Sequence, residues 1–411
     1  MLCSTTSFAG RARIPKGNRL MSDNETLAEF DFHGKALDTI FDDYAKMHES
    51  KPVGHSSKYG GFWYISKSED IFDAEQDPET WSVGPSMLLP SFGTEMPLIP
   101  IDIDPPTHAG FRKLLLPMFT PMAINKLEPG MHTTAIELSD QVKSAFADSD
   151  VVDVSALFAR PYPTIIFSRL AGYPEQDWPL FDQWIDDIIY ERTKSPEKAK
   201  AAGDDLVAYV QRLIDDGRAG KALDGITGEL LNATIDGRPL TDDELVSYGY
   251  LLFLAGLDTT AWAIRSSLWY LARNKEAQAL LRREPDRIMD AAEEFLRTLS
   301  PVQAMARTAK QDTTVRGQEI KAGERVVLVF GAGNRDPEIY DNPNEIDITR
   351  ENNRHLAFGG GIHRCLGSNL GRKEVVISLE HFLATIPEFE LAEDEPWHGV
   401  GPLRLRLSGG E

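Results

Sequence analysis

The longest patterned hydrophobic stretch of the chain is "TDDELVSYGYLLFLAGLDTTAWAIRSSLWYLARN". Thr241 with Glu244 three residues later has the form of a capping box, in which each side chain satisfies a backbone donor at a helix start. The pattern predicts a helix to about Arg273, roughly 33 residues or about 50 Å at 1.5 Å per residue, enough to cross a whole domain. It is apolar on most faces between Tyr248 and Leu257, so burial is expected. Asp258, Thr259 and Thr260 then interrupt the pattern, and polar groups in a buried helix need partners. In one reading Thr259 bonds back to a carbonyl one turn earlier and Asp258 pairs with a distant Arg or Lys. In the other, the helix bends around Ala255 and Gly256 and opens a notch where hydroxyl and carboxylate handle protons.

From Asp31 onward the remaining pattern is helix-rich, with apolar or alternating segments of strand length at Phe62–Ile65, 326–330 and 403–407. Gly317 and Gly323 flank turns expected to join strands into hairpins. Internal repeats and low-complexity tracts are absent, so 31–411 reads as one large domain, mainly α with small β-sheets.

Composition narrows the function classes. Of 411 residues, 42% are hydrophobic and 26% charged, the balance of a globular protein able to bury a large core. No run of about 18 apolar residues suggests a transmembrane helix, so no membrane association is expected. The formal charge of -21 argues against nucleic acid or an anionic membrane as a general partner. Two cysteines, Cys3 and Cys365, lie near opposite ends, which suits a reducing cytoplasm better than a disulfide framework. The first twenty residues carry Arg11, Arg13, Lys16 and Arg19, and no acid precedes Asp23. Such a segment reads either as a transit peptide or, preferred here, as an extension upstream of a natural start at Met21. Residues 1–30 are accordingly expected to be a disordered N-terminal extension.

Cys365 lies in "HLAFGGGIHRCLGSNL", residues 355–370, among glycines that let backbone amides approach its sulfur. A buried inert thiol, a catalytic nucleophile and a zinc ligand are the bland alternatives, though zinc wants three or four ligands and no second cysteine is near. Upstream, "EEFLRTLSPVQAMARTA" places Glu294 and Arg297 on one helical face at i,i+3 spacing.

The long helix with A-G-L-D-T-T, then E-x-x-R, then F-G-G-G-I-H-R-C-L-G resembles the cytochrome P-450 superfamily, soluble bacterial haem-thiolate monooxygenases, over nearly all of the chain from Asp31. Phe358, Gly359, Gly361, His363, Cys365 and Gly367 fit the family pattern F-G-x-G-x-H-x-C-x-G. The resemblance implies haem b (iron protoporphyrin IX), with Cys365 as the axial iron ligand, since a thiolate favours O–O cleavage. It implies a shielding ring at Phe358, Ala255 among the cofactor-binding positions, and His108, Arg112, Arg307 and His355 at the propionates. Asp258 and Thr259 take the place of the family's proton-delivering acid–alcohol pair, and Glu294, Arg297 and Arg350 that of its structural cluster. Gly371, where alanine is commoner, and Ile346, where an aromatic often stands, depart from the pattern.

The implied reaction is hydroxylation of an apolar small molecule of terpenoid, aromatic or alkyl type, with O2 and two electrons. Ferredoxin and ferredoxin reductase are expected to supply these electrons from NAD(P)H to a monomeric enzyme, because no flavin or ferredoxin segment accompanies the cysteine loop. Arg112, Lys113, Arg364, Arg372 and Lys373 form a candidate basic patch for an acidic ferredoxin, weighed evenly against scattered solvated charges. Substrate contacts are expected at Met87, Leu88, Leu89, Phe92, Leu254, Val302, Met305 and Val400. A peroxide-driven peroxygenase and a non-catalytic haem-binding sensor are the rival functions.

Overall fold

The computed structural model describes residues 27–33, 35–91, 94, 96–192, 194–351, 353–393 and 397–408. Helices dominate. Those that build the site are α1 (Ser68–Gln76), α2 (Thr107–Leu115), α3 (Pro121–Asp148), α4 (Asp242–Arg273), α5 (Ile288–Leu299) and α6 (Ser368–Thr385). The strands are short; besides a two-residue pair, Thr234–Ile235 with Arg238–Pro239, they are β1 (Val53–Ser56), β2 (Phe62–Ile65), β3 (Trp81–Ser82), β4 (Val152–Asp153), β5 (Met305–Ala309), β6 (Thr313–Val315), β7 (Gln318–Ile320), β8 (Arg325–Leu328), β9 (Phe389–Leu391) and β10 (Arg404–Leu407).

Helix α4 starts as its sequence predicts. Thr241 Oγ1 accepts from the Glu244 amide at 3.2 Å and Glu244 Oε2 accepts from the Thr241 amide at 2.8 Å. The helix packs against Pro161–Ala171, Pro196–Arg218, α5 and α6, which is why apolar residues appear on most of its faces. Helix α4 continues unbroken through Ala255 and Gly256. Gly256 serves packing, since a Cβ there would stand 2.7 Å from the Phe167 ring.

The main sheet has the order β1-β2-β8-β5-β3. Strand β8 runs parallel to β2, with Val326 opposite Trp63, and antiparallel to β5, with Val326 opposite Arg307. The expected strand over 326–330 ends two residues early, because Phe330–Gly333 is a helical turn. Gly317, at φ +78°, does join the β6–β7 hairpin. Gly323, at φ +87°, leads instead from β7 into β8, strands of different sheets. A second sheet, β9-β10-β4, contains the segment expected over 403–407.

Described residues ahead of Asp31 already belong to the core. Leu27 and Phe30 are 1% and 0% exposed, in a cluster with Tyr44, Phe62 and Val327, where burial of two large apolar side chains outweighs the entropy of a free tail. Residues 1–26 lie outside the described chain.

Candidate functional site

A cavity of about 750 Å³ opens between α4, α6, the cysteine loop and the N-terminal segment. Its lining brings together residues far apart in sequence: Arg112, Ala255, Asp258, Thr259, Phe358, Gly359, His363, Cys365 and Gly367.

The cysteine loop is held by its own backbone. The Cys365 amide donates to the Phe358 carbonyl at 2.8 Å and the Gly359 amide to the Leu356 carbonyl at 2.8 Å. Gly359 and Gly361 adopt φ of +64° and +55°, a region that favours glycine. Gly361 is further constrained by α1, since a Cβ there would lie 1.9 Å from the Glu75 carbonyl oxygen. The Glu75 carboxylate accepts from the Gly360 amide at 2.5 Å and from Arg307 Nη2 at 3.3 Å. Phe358 packs under the Arg372 guanidinium, 4.4 Å from ring centre to charge.

Cys365 lies deep in the protein yet is exposed to the cavity that it lines. Burial pushes its thiol up, while the Gly367 amide and then Arg112, Arg364 and Arg372 pull it back toward the thiolate.

The rings of His108 and His363 stand 4.2 Å apart, and Nε2 of each is buried without a hydrogen-bond partner among the described residues. Burial, followed by the neighbouring His108, Arg307 and Arg112, depresses the His363 imidazole to about 3. Arg112 donates to the Arg364 carbonyl and lines the cavity, while Arg307 is buried against Glu75. Orphaned imidazole nitrogens beside a guanidinium form a cradle for an anionic group.

His355 stands apart from this pair, on partners of its own. Its Nε2 lies 3.1 Å from Glu293 Oε2 and its Nδ1 accepts from the Ala357 amide at 3.2 Å. With both ring nitrogens engaged and the residue off the cavity wall, His355 ties the cysteine loop to α5.

On α4, Thr259 Oγ1 donates to the Ala255 carbonyl at 2.9 Å, and Asp258 Oδ1 accepts from Tyr190 Oη and, at 3.4 Å, from Arg265 Nη2. The bland partners foreseen for both residues are therefore present, and both still line the cavity. Burial pushes the Asp258 carboxyl up, with Arg265 and the Tyr190 hydroxyl opposing. Such a group can hold a proton and release it.

Sequence reasoning missed Tyr190, Arg265, Glu75 and Glu374. Tyr190 and Glu75 carried no local signal. Glu374 did: Gly367, Gly371 and Glu374 fall at i, i+4 and i+7, and all three face the cavity from the start of α6. Thr260 Oγ1 donates to Glu374 Oε2 at 3.4 Å, and burial raises this carboxyl well above the usual range.

Behind the site, Glu294 and Arg297 are both 0% exposed and form a fork, with Nη2–Oε1 at 2.7 Å and Nε–Oε2 at 2.8 Å. Arg350 Nε approaches Glu294 Oε2 at 3.2 Å and Asn353 Nδ2 donates to it at 2.7 Å. Arg297 also donates to the carbonyls of Asn334 and Pro343.

Of the expected substrate contacts, Met87, Leu88, Leu254, Val302, Met305 and Val400 line the cavity. Leu89 is not on its wall, and its carbonyl pairs with His33 at 2.7 Å. Phe92 lies outside the described residues.

A family model described as Cytochrome P450 matches residues 173–396. The "Probable cytochrome P450 127A1" of Sinorhizobium fredii is 37% identical over 81% of this chain and 78% of its own. Among solved structures, the bacillaene polyketide synthase cytochrome P450 PksS of Bacillus subtilis superposes with a TM-score of 0.81 at 30% identity, covering 92% of this chain and 100% of the other. CYP109E1 of Bacillus megaterium, in complex with testosterone, gives 0.76 at 30% identity, covering 90% and 99%.

Proposed function

The chain belongs to the cytochrome P450 family and is a P450 monooxygenase, and from that premise we propose that its cavity hydroxylates an apolar small molecule of terpenoid, aromatic or alkyl type. The observation that carries this reading is one cavity lined by Cys365, by Arg112 and His363, and by the polar step Asp258–Thr259 in an otherwise apolar helix. Testosterone bound to CYP109E1 supports an apolar ligand of some size.

The residues present fit haem b, the cofactor the family implies. Cys365 would ligate the iron, and His108, Arg112, Arg307 and His363 would meet the propionates, for which the orphaned Nε2 atoms supply donors. When bound, thiolate-ligated haem supplies oxygen activation. The chain's own contribution is to position and to deliver protons. Thr259 presents its hydroxyl to the cavity, and Asp258, anchored by Tyr190 and Arg265, holds the proton behind it. Gly359, Gly361 and Gly367 keep the loop close to the sulfur, and Phe358 covers it. Glu294, Arg297 and Arg350 fix the framework behind. Electrons come from NAD(P)H through a reductase and a ferredoxin that docks near Lys113 and Arg364. The two cysteines suit a reducing, cytoplasmic compartment.

The test is the carbon monoxide difference spectrum of the dithionite-reduced protein. A strongly red-shifted Soret band is expected from thiolate ligation, and absence of haem overturns the reading. Turnover then separates the rivals: Thr259→Ala is expected to consume NAD(P)H while releasing peroxide in place of product, and unchanged coupling removes Thr259 from the proton path.

A further inference from the structure

Helices α3 and α6 pack against each other, and Ala135, Leu138, Leu379 and Phe382 of the two belong to one apolar cluster. Outside the cavity, at the edge of this seam, three side chains with ligand atoms converge. They are His132 from α3 and Glu380 and His381 from α6, and one ligand atom from each lies within 4.8 Å of the other two. Both histidines are half-buried and Glu380 is exposed. Consecutive residues of a helix point about 100° apart, so the carboxylate reaches the histidine pair from the solvent side. Among the described residues this is the only such trio of His, Cys, Asp or Glu.

The two rings face each other through their nitrogens. His132 Nδ1 and His381 Nε2 are 2.8 Å apart, with the ring planes at 87°. A hydrogen bond between imidazoles needs one protonated nitrogen and one lone pair, so a single proton sits where two nitrogens meet. A divalent cation can take the place of that proton. Bound tetrahedrally at about 2.0–2.1 Å, it would hold the two nitrogens roughly 3.3 Å apart, an opening of about 0.5 Å that side-chain rotation supplies. The helices themselves are held in place by other contacts, among them the 2.7 Å ion pair of Lys373 with Glu128, one turn ahead of His132 on α3. Two imidazoles with one carboxylate, and water in the fourth position, form a ligand set for zinc, nickel or copper, whereas magnesium and calcium prefer oxygen alone.

We propose that His132, Glu380 and His381 form a site for one divalent transition-metal cation of the zinc type, which clamps α3 to α6. The role is structural. Ligands from two helices come together only in the folded chain, so the free energy of binding adds to that of folding. Helix α6 begins at Ser368, directly after the cysteine loop, and the clamp fastens it about 20 Å further along at 1.5 Å per residue. At that distance the cation stabilises the helix that follows Cys365 without touching the sulfur.

The experiment is calorimetric titration of the chelator-stripped holoprotein with zinc chloride, alongside thermal unfolding with and without the metal. The wild type is expected to take up one zinc with a dissociation constant on the order of micromolar. At about a hundredfold excess over that constant, the unfolding midpoint rises by a few degrees. Magnesium chloride at the same concentrations does neither. Glu380→Gln, at an exposed position where the fold is not at risk, weakens zinc binding roughly tenfold, and His132→Ala or His381→Ala weakens it by about 100-fold or more. Each variant is compared by its midpoint in the absence of metal, which separates a lost ligand from a damaged fold. No zinc uptake up to about 1 mM overturns the site, as does uptake that survives both Glu380→Gln and His381→Ala. Stoichiometric binding that leaves the midpoint where it was overturns the clamp.

Discussion

Gly361 is where backbone and neighbour act together on one residue. Its φ of +55° disfavours any side chain, and an added methyl would overlap the Glu75 carbonyl, so Gly361→Ala is expected to cost on the order of 3 kcal/mol and to lose haem loading. Gly371→Ala is the matched control. There the nearest atom to a new Cβ is Thr260 Oγ1 at 3.8 Å, an ordinary contact, and alanine favours the helix by about 1 kcal/mol. Haem content and unfolding midpoint of the two variants check the contrast. It also explains why the departure from family pattern at Gly371 leaves the site intact. Glu374 supplies a prediction of opposite sign. Its carboxyl titrates well above 4.5 when folded, so above about pH 4.5 the unfolded chain gives up a proton that the folded protein must keep. Folding is thereby penalised as pH rises, and below 4.5 the penalty vanishes. Glu374→Gln keeps an acceptor for Thr260 and is expected to add about 1–3 kcal/mol of stability at pH 7.5 and little at pH 4.5, measured by denaturant unfolding at both. Equal stability at pH 7.5 contradicts the buried carboxyl.

Among elements, the junction of α5 with the segment 334–353 depends most on a single contact. Glu294→Ala leaves the fully buried Arg297 without its fork and removes the acceptor for Arg350, Asn353 and the Asp347 amide. A loss of about 3–5 kcal/mol is expected, seen as failed haem incorporation; soluble variant with full haem content would show the cluster to be dispensable. How much of this was readable from sequence differs by partner. The i,i+3 pair was legible because helix geometry makes it local, and Arg350 came only through family resemblance. The carbonyls of Asn334 and Pro343 were invisible, because loop backbone carries no residue-type signal. The same division holds for the elements themselves. The start of α4 was legible from Thr241 and Glu244, since capping is local. Its unbroken course past Gly256 was not, because that glycine answers to Phe167, some ninety residues away. Strands β3 and β4, two residues each, are shorter than any alternation can reveal, and the Val326–Trp63 pairing depends on contacts across more than 260 positions. The partner of His355 was invisible for the same reason, since Glu293 lies on another helix.

Charge is the property that belongs to the whole molecule. At -21, the protein as a whole repels an acidic ferredoxin, so docking needs a local exception. The five cations read from the sequence provide less of one than their number suggests. Arg372 is held by Glu293 at 2.6 Å, Lys373 by Glu128 at 2.7 Å, and Arg112 is turned inward to the Arg364 carbonyl. Lys113 and Arg364 are left as exposed cations with no ion pair among the described residues. Two charges within reach of a partner act strongly at low salt and weakly once the screening length falls to about 10 Å at 0.1 M. Lys113→Glu, at an exposed position on α2, is therefore expected to slow reduction by an acidic ferredoxin about tenfold at low ionic strength and to flatten the salt dependence, with the carbon monoxide band unchanged. Stopped-flow reduction across a salt series measures both effects. Rates that match wild type at every salt concentration would move the docking face away from α2, and the electron would have to enter where the surface is acidic, through a partner of the opposite charge.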